Sequence, residues 1–214
     1  MLSLNAIDGF IFDLDNTLIP SEPFHLKAFA QAMRDLANYE LTPEDIHHFS
    51  QHVSRQTAEV IIRKMGFTHI TPQGVADHKN TIVRRIFKPT LFPGAREFIQ
   101  KYHGDKKMAL ASNSPPAFVN PTLEELGLNG VMDCVITSKD VHNVKPDPEM
   151  FLMAAERLNC RPSRTLVFED SAFGLKAAVN GGFPSVLVLN PNNPVPDYIP
   201  DDTAALTWSQ LLKV

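Results

Sequence analysis

"FIFDLDNTLI", Phe10 to Ile19, is an apolar run that carries two carboxylates, Asp13 and Asp15, with a single leucine between them. Taking a carboxylate out of water costs several kcal/mol unless a cation or hydrogen bonds compensate. The start of the run, "GFIFD", is too short for a globular helix and shows no polar alternation, which predicts a strand buried on both faces. Both carboxylates then fall where that strand ends, and the rest of the chain has to supply their compensating partner.

Four further runs read the same way: "KMALAS" (107–112), "DCVITS" (133–138), "TLVFED" (165–170) and "SVLVL" (185–189). Between them lie helix candidates, "GAREFIQKYH", "PPAFVNPTLEELG", "DPEMFLMAAERLN" and "SAFGLKAAVNGG". Asp147 and Ser171 are suited to cap helix N-termini, and Gly181 to end a helix. Pro121 lies inside the second candidate, so that helix starts there or is kinked. The alternation predicts an α/β fold: a doubly wound, mostly parallel Rossmann-like sheet with right-handed crossovers.

One interval breaks the pattern. From Glu22 to Phe87 the apolar spacing is helical, as in Phe24, Ala28, Phe29, Ala32, Met33 and Leu36, and no good strand run occurs. Pro20 and "KPTLFPG" (88–94) punctuate its two ends. The expectation is an all-helical cap domain over 20–88, inserted into an α/β core formed by 1–19 and 89–214. In the cap, Ile61, Met65 and Phe67 read as core, while His47 and His48 read as surface. Lys79, Arg84, Arg85 and Lys88 read as a mostly solvent-facing basic cluster. "NPNNPVPDYIPDD" (190–202) reads as an irregular surface segment, followed by a short helix in "TWSQLLKV".

The chain has 214 residues, 43% of them hydrophobic, enough for a packed core. A net charge of −4 gives no basic footprint for nucleic acid. No run approaches the ~18 apolar residues of a membrane span. "MLSLNAIDGF" lacks the basic start and apolar stretch of a signal peptide. Cys134 and Cys160 match no metal or redox spacing and read as free thiols at least partly buried. These features predict a soluble, cytoplasmic protein with no nucleic-acid or membrane partner, monomeric or weakly homo-oligomeric.

Ligands of open α/β sheets bind beyond the carboxyl ends of the strands. Asp13 and Asp15 end one strand run, Glu169 and Asp170 another, and Ser112 and Asn113 a third. Such a gathering of hard oxygen donors suits Mg²⁺, which keeps some waters for a substrate phosphate. Lys145, in "NVKPDP", is a candidate base partner for a phosphate and an ionised aspartate.

"DLDNT", "LASNS", "VKPDP" and "FEDSAFGLKAA" occur in the order of the four motifs of the haloacid dehalogenase-like hydrolases, which the chain resembles from about Phe10 to Leu189. "SEPFHLKAF", "VSRQTAEVI" and "LFPG" are similar to stretches of the β-phosphoglucomutase and sugar-phosphatase branch, with its helical cap. The resemblance implies that Asp13 is a nucleophile that forms an aspartyl-phosphate. It implies that Asp15 protonates the leaving oxygen and then deprotonates water. Asp13, the Asp15 carbonyl and Asp170 would hold Mg²⁺, with Glu169 reaching it through water or one shell out. Ser112 and the Asn113 amide would hold phosphate oxygens, Lys145 would neutralise charge, and Thr17 would brace the first loop. His25 and Arg55 match positions that touch substrate or couple cap to core.

The implied activity is a Mg²⁺-dependent phosphatase of a small phosphorylated metabolite, a sugar phosphate or phosphoglycolate-like compound. A β-phosphoglucomutase-like isomerase is the first alternative, and a non-catalytic phosphometabolite-binding regulator the second. Two departures stand out. Asn16 replaces a glycine common among relatives, and Pro20 stands where the mutase branch commonly has an acid, which weighs against a mutase. Outside the site, Gly174 reads as a point of close helix–sheet packing.

Overall fold

The computed structural model describes residues 4–191 and 195–214, and the backbone alone of Gln51. The start of "MLSLNAIDGF" and the centre of the proline-rich stretch at 192–194 lie outside the described residues. The chain divides into two compact units, Met1–Pro20 with Pro89–Val214, and Ser21–Lys88.

The first unit opens with β1 (Gly9–Phe12). The second unit then supplies α1 (Glu22–Ala37), α2 (Pro43–Gln51), α3 (Ser54–Met65) and α4 (Pro72–Ile86). The chain returns to the first unit with α5 (Ala95–Tyr102), β2 (Lys107–Ala111), α6 (Pro116–Glu125), β3 (Cys134–Ile136) and α7 (Glu149–Leu158). It ends with β4 (Thr165–Glu169), α8 (Ala172–Asn180), β5 (Ser185–Val188), β6 (Ala204–Leu206) and α9 (Trp208–Leu211).

Among the described residues, six strands form one parallel sheet in the order β3-β2-β1-β4-β5-β6. Order reverses beside β1, whose Gly9 pairs with both Lys107 and Thr165. Such a switch point leaves a crevice at the carboxyl ends of the strands.

Both faces of the sheet are covered, which explains the unbroken apolar runs. On one face Ile11, Ala109, Ala111 and Val167 pack with Met150, Phe151 and Ala154 of α7 and Ala177 and Ala178 of α8. On the other, Phe10, Phe12 and Phe168 meet Phe98 of α5 and Trp208 of α9. The Phe12 and Phe168 rings stack with centroids 5.0 Å apart. Each such ring contributes roughly 1.5–3 kcal/mol by leaving water.

Some local expectations are corrected and others hold. α6 begins at Pro116 and passes through Pro121, whose missing N–H forfeits one helical bond. Pro148 occupies the cap position of α7, but the Asp147 Oδ1 accepts from Glu149 N at 3.0 Å, so the carboxylate still satisfies a helix-terminal donor. β6 arises within "TAALT", too short a run to stand out as a strand, and pairs in parallel with β5. Ser171 does cap α8, its hydroxyl accepting from Gly174 N at 3.0 Å. Cys134 and Cys160 are free and half-buried.

The helical unit buries Ala28, Phe29, Ala32 and Met33 of α1, Ala58 and Ile61 of α3, and Val75, Ile82 and Val83 of α4. Thr42 and Asp45 form a capping box at α2, whose carboxylate also accepts from Tyr39. Met65 is 46% exposed rather than core: it follows Ile61 by one helical repeat but is the last residue of α3, before Gly66 ends the helix. Lys79 is buried, one helical repeat beyond Val75 on the inward stripe of α4, while Arg84, Arg85 and Lys88 are exposed. His48 is half-buried: its Nδ1 lies 3.0 Å from Thr57 Oγ1, and its ring stacks on His52. Among the described residues, no helix is long and apolar enough to cross a membrane.

Candidate active site

Three strand ends and one loop converge in the α/β unit. Asp13 follows β1 and is held by its N–H to Phe168 O of β4 at 3.0 Å. The chain then turns tightly: Leu18 N donates to Leu14 O at 2.9 Å and Asn16 N to Ile19 O at 2.7 Å. Asn16 sits at φ 58°, a left-handed conformation that asparagine tolerates better than most residues. Thr17, fully buried, donates to Asp170 Oδ1 at 3.1 Å and so ties the first loop to the end of β4.

Lys145 lies at the centre. Its ammonium has three hydrogens and three acceptors: Asp13 Oδ1 at 2.7 Å, Glu169 Oε1 at 2.6 Å and Ala111 O at 2.8 Å. The loop that delivers it is fastened by the Asn113 side chain, whose Oδ1 accepts from Lys145 N at 3.1 Å. Its Nζ also lies 4.8 Å from the centroid of the Phe151 ring. The other oxygen of Glu169 accepts from Asp170 N, Ser171 N and Ser171 Oγ at 2.9–3.2 Å. An ion pair this dry is stable only when further hydrogen bonds support it, and Glu169 has three of them on its second oxygen.

Charge is nevertheless out of balance. Burial pushes the Asp13 carboxyl up to about 7; Lys145 pulls it down, while Glu169 and Asp15 push it up further. Burial, then Glu169 and Asp13, raises Asp170 well above the usual carboxylate range. Burial alone would lower Lys145, but Asp13 and Glu169 outweigh it and hold the ammonium charged. Asp13, Glu169 and Asp170 each bring one oxygen within 4.8 Å of the others. Three gathered carboxylates around one ammonium leave room for further positive charge, and an all-oxygen donor set suits a hard divalent cation.

The expected residues are therefore brought together in part. Asp13, Asp15, Thr17, Ser112, Asn113, Lys145, Glu169 and Asp170 all belong to one constellation. His25 and Arg55 belong to the helical unit, half-buried on α1 and exposed on α3 respectively. One residue of the site had no expected part. Ser114 Oγ donates to Asp15 Oδ2 at 2.6 Å, while Ser112 Oγ lies 3.4 Å from the same oxygen and accepts from Ser114 N. The signal was present in "LASNS", where a second hydroxyl follows the first at a strand end.

A family model described as haloacid dehalogenase-like hydrolase matches residues 7–182. The chain belongs to the haloacid dehalogenase-like hydrolases. Among curated members of known proteins, it is 30% identical to the fructose-1-phosphate phosphatase YqaB of Escherichia coli, over 83% of this chain and 94% of that one. It is also 30% identical to the phosphoglycolate phosphatase of Salmonella paratyphi A, over 87% of this chain and 82% of the relative. The β-phosphoglucomutase of Clostridium difficile superposes with a TM-score of 0.72 at 24% identity, over 87% of this chain and 86% of that one. That last likeness extends the haloacid dehalogenase-like fold to a mutase and speaks of fold alone.

Proposed function

We propose that this haloacid dehalogenase-like hydrolase is a Mg²⁺-dependent phosphatase of a small phosphorylated metabolite, a sugar phosphate or phosphoglycolate-like compound, acting through an aspartyl-phosphate. One observation carries the reading: a buried ammonium, Lys145 Nζ, lies 2.7 Å from Asp13 Oδ1 beside a cluster of carboxylate oxygens. The named phosphatases among its relatives support the substrate class.

Asp13 attacks phosphorus as the bond to the leaving oxygen breaks, and Asp15 gives that oxygen its proton. Asp15 then takes a proton from water, which attacks the aspartyl-phosphate and frees Asp13 and phosphate. Lys145 keeps Asp13 available as an anion and offsets charge on the phosphoryl group. Ser112 and the Asn113 N–H orient phosphate oxygens. Asp13, Asp170 and the Asp15 carbonyl would hold the metal, with Glu169 one step removed because its oxygens already accept four hydrogen bonds. When bound, Mg²⁺ supplies positive charge to the transferring phosphoryl oxygens.

The test is turnover of a panel of phosphorylated metabolites with Mg²⁺ or with EDTA, beside Asp13→Asn, reading both free phosphate and isomerised sugar. Mg²⁺-dependent phosphate release that vanishes in Asp13→Asn is expected. Isomerisation without stoichiometric phosphate would replace the phosphatase by a mutase. Tight binding without turnover would replace it by a phosphometabolite-binding regulator.

A further inference from the structure

The match to the family model ends at residue 182, yet two residues beyond it reach back to the first loop. Asn190, just past the end of β5, donates its Nδ2 to Asn16 O at 2.8 Å. Trp208, at the start of α9, donates its Nε1 to Thr17 O at 2.8 Å, in a buried bond. These are the carbonyls of consecutive residues in the turn that follows Asp13 and Asp15.

We propose that the C-terminal segment is a brace for this turn, with Asn190 and Trp208 as positioning residues that hold the Asn16 and Thr17 carbonyls, and through them the Thr17 side chain and the backbone that follows the Asp15 carbonyl. A trans peptide is rigid, so fixing either its N–H or its C=O fixes the whole plane. The Asp15–Asn16 plane is held by Asn16 N on Ile19 O, the Asn16–Thr17 plane by Asn190, and the Thr17–Leu18 plane at both ends, by Leu18 N on Leu14 O and by Trp208 on Thr17 O. Three successive planes are thus fastened around Asn16, whose left-handed φ of 58° is a conformation that few side chains hold unaided. The first plane sets the direction of the Asp15 carbonyl, and the third sets the backbone from which Thr17 reaches Asp170.

The brace is itself firmly seated. Trp208 is 2% exposed, with its ring centroid 5.3 Å from those of Phe98 and Phe168. Lys101 Nζ donates to Leu212 O at 3.1 Å, and Thr207 with Gln210 forms a capping box at α9. Gly94 is fitted against the same helix: a Cβ there would stand 3.0 Å from Ser209 N and 3.1 Å from Trp208 C. A buried indole could be explained by packing alone, but packing does not require its N–H to end on the nucleophile turn, nor a second donor beside it.

The metal-related part of this inference rests on the proposed function, in which the Asp15 carbonyl is a ligand. The test uses the full chain, wild type beside Asn190→Ala, Trp208→Phe and the double variant. Hydrogen exchange is followed in the peptide from Phe12 to Ile19, Mg²⁺ binding is measured by calorimetry, and thermal midpoints are recorded. Each single variant should speed exchange of the turn and weaken Mg²⁺ binding about tenfold, the low end of what losing an outer support costs a metal site. Saturating Mg²⁺ should restore most of the turnover, which a general loss of folding would not allow. Should Trp208→Phe melt far below the wild type, Asn190→Ala, half-exposed and outside the aromatic cluster, decides alone. The brace is overturned if exchange and Mg²⁺ affinity in folded variants stay within about twofold of the wild type. A wild type that neither binds Mg²⁺ nor releases phosphate would refute the proposed function, while exchange of the turn would still decide the brace.

Discussion

Replacing glycine by alanine inside a helix ordinarily stabilises a protein by roughly 0.5–1 kcal/mol. Gly174→Ala in α8 should do the reverse. An added Cβ at this position would overlap the carboxyl carbon and both oxygens of Glu169. The side chain has to move, and it carries four hydrogen bonds, from Lys145, Asp170 N, Ser171 N and Ser171 Oγ. Bonds to a charged group are each worth about 1.5–3 kcal/mol. Losing two of the four, less the helix gain, leaves a net cost of about 2–5 kcal/mol. For a chain of this size that lowers the thermal midpoint by roughly 5–15 °C. Because Lys145 loses a partner, phosphate release should fall about 10- to 100-fold. A double-mutant cycle isolates the cause: in a Glu169→Ala background the obstacle is gone, so Gly174→Ala should be neutral or mildly stabilising. Equal effects of Gly174→Ala in the two backgrounds, or a single variant as stable as wild type, would sink the reasoning.

Metal binding should depend on pH with a definite sign. With Asp13 titrating near 7 and Asp170 also raised, protons compete with the cation, so apparent Mg²⁺ affinity should drop by about tenfold or more per pH unit below 7. Calorimetry at pH 6 and pH 8 in two buffers of different ionisation enthalpy should show proton release, and affinity that is flat with pH would contradict the Asp13 shift. Ser114→Ala removes the 2.6 Å bond to Asp15 and should cost about tenfold in kcat/KM, which reads formation of the aspartyl-phosphate, on alkyl phosphates but little in kcat/KM on p-nitrophenyl phosphate, whose leaving group needs no proton. Equal losses in kcat/KM on both substrates would mean that Ser114 does not act through the acid role of Asp15. Burial raises the Asp45 carboxyl, but hydrogen bonds from Thr42 and Tyr39 outweigh it and hold the group below the usual range. Asp45→Ala should therefore cost about 1–3 kcal/mol in urea unfolding at pH 7. A lowered carboxyl contributes stability above its unfolded pKa and loses it as pH falls through the folded one, so the gap between variant and wild type should close below about pH 4.

What the sequence made legible were the features written in short local patterns. Strands covered on both faces leave unbroken apolar runs, so five of the six were visible, and helical spacing from Phe24 to Leu36 announced α1. Four ordered motifs announced the core of the site. Side-chain partnerships across the fold were not legible. Gly174 read as a packing glycine, whereas in the fold its missing Cβ makes room for a carboxylate five residues earlier. Lys79 read as surface because its type is usually solvated, whereas the position it occupies on α4 decides otherwise. Ser114, Asn190 and Trp208 act on the first loop through bonds between residues 99, 174 and 191 positions apart, and no local pattern encodes such pairings. β6 was hidden because its three residues carry too little signal to separate from a loop.

The strand order has a consequence for how the protein comes into being. β1 occupies the middle of the sheet, yet one neighbour begins at Lys107 and the other at Thr165. A ribosome makes chains from the N-terminus at roughly 5–20 residues per second. Phe10, Ile11 and Phe12 therefore leave the exit tunnel many seconds before anything exists for them to pair with, and during that interval they are a sticky segment for holding factors to shield. The same delay keeps Asp13 and Asp15 hydrated, apart from Lys145 and Glu169. A nascent chain that has not reached Asp170 thus carries no phosphate chemistry, because the site cannot assemble before that residue is made.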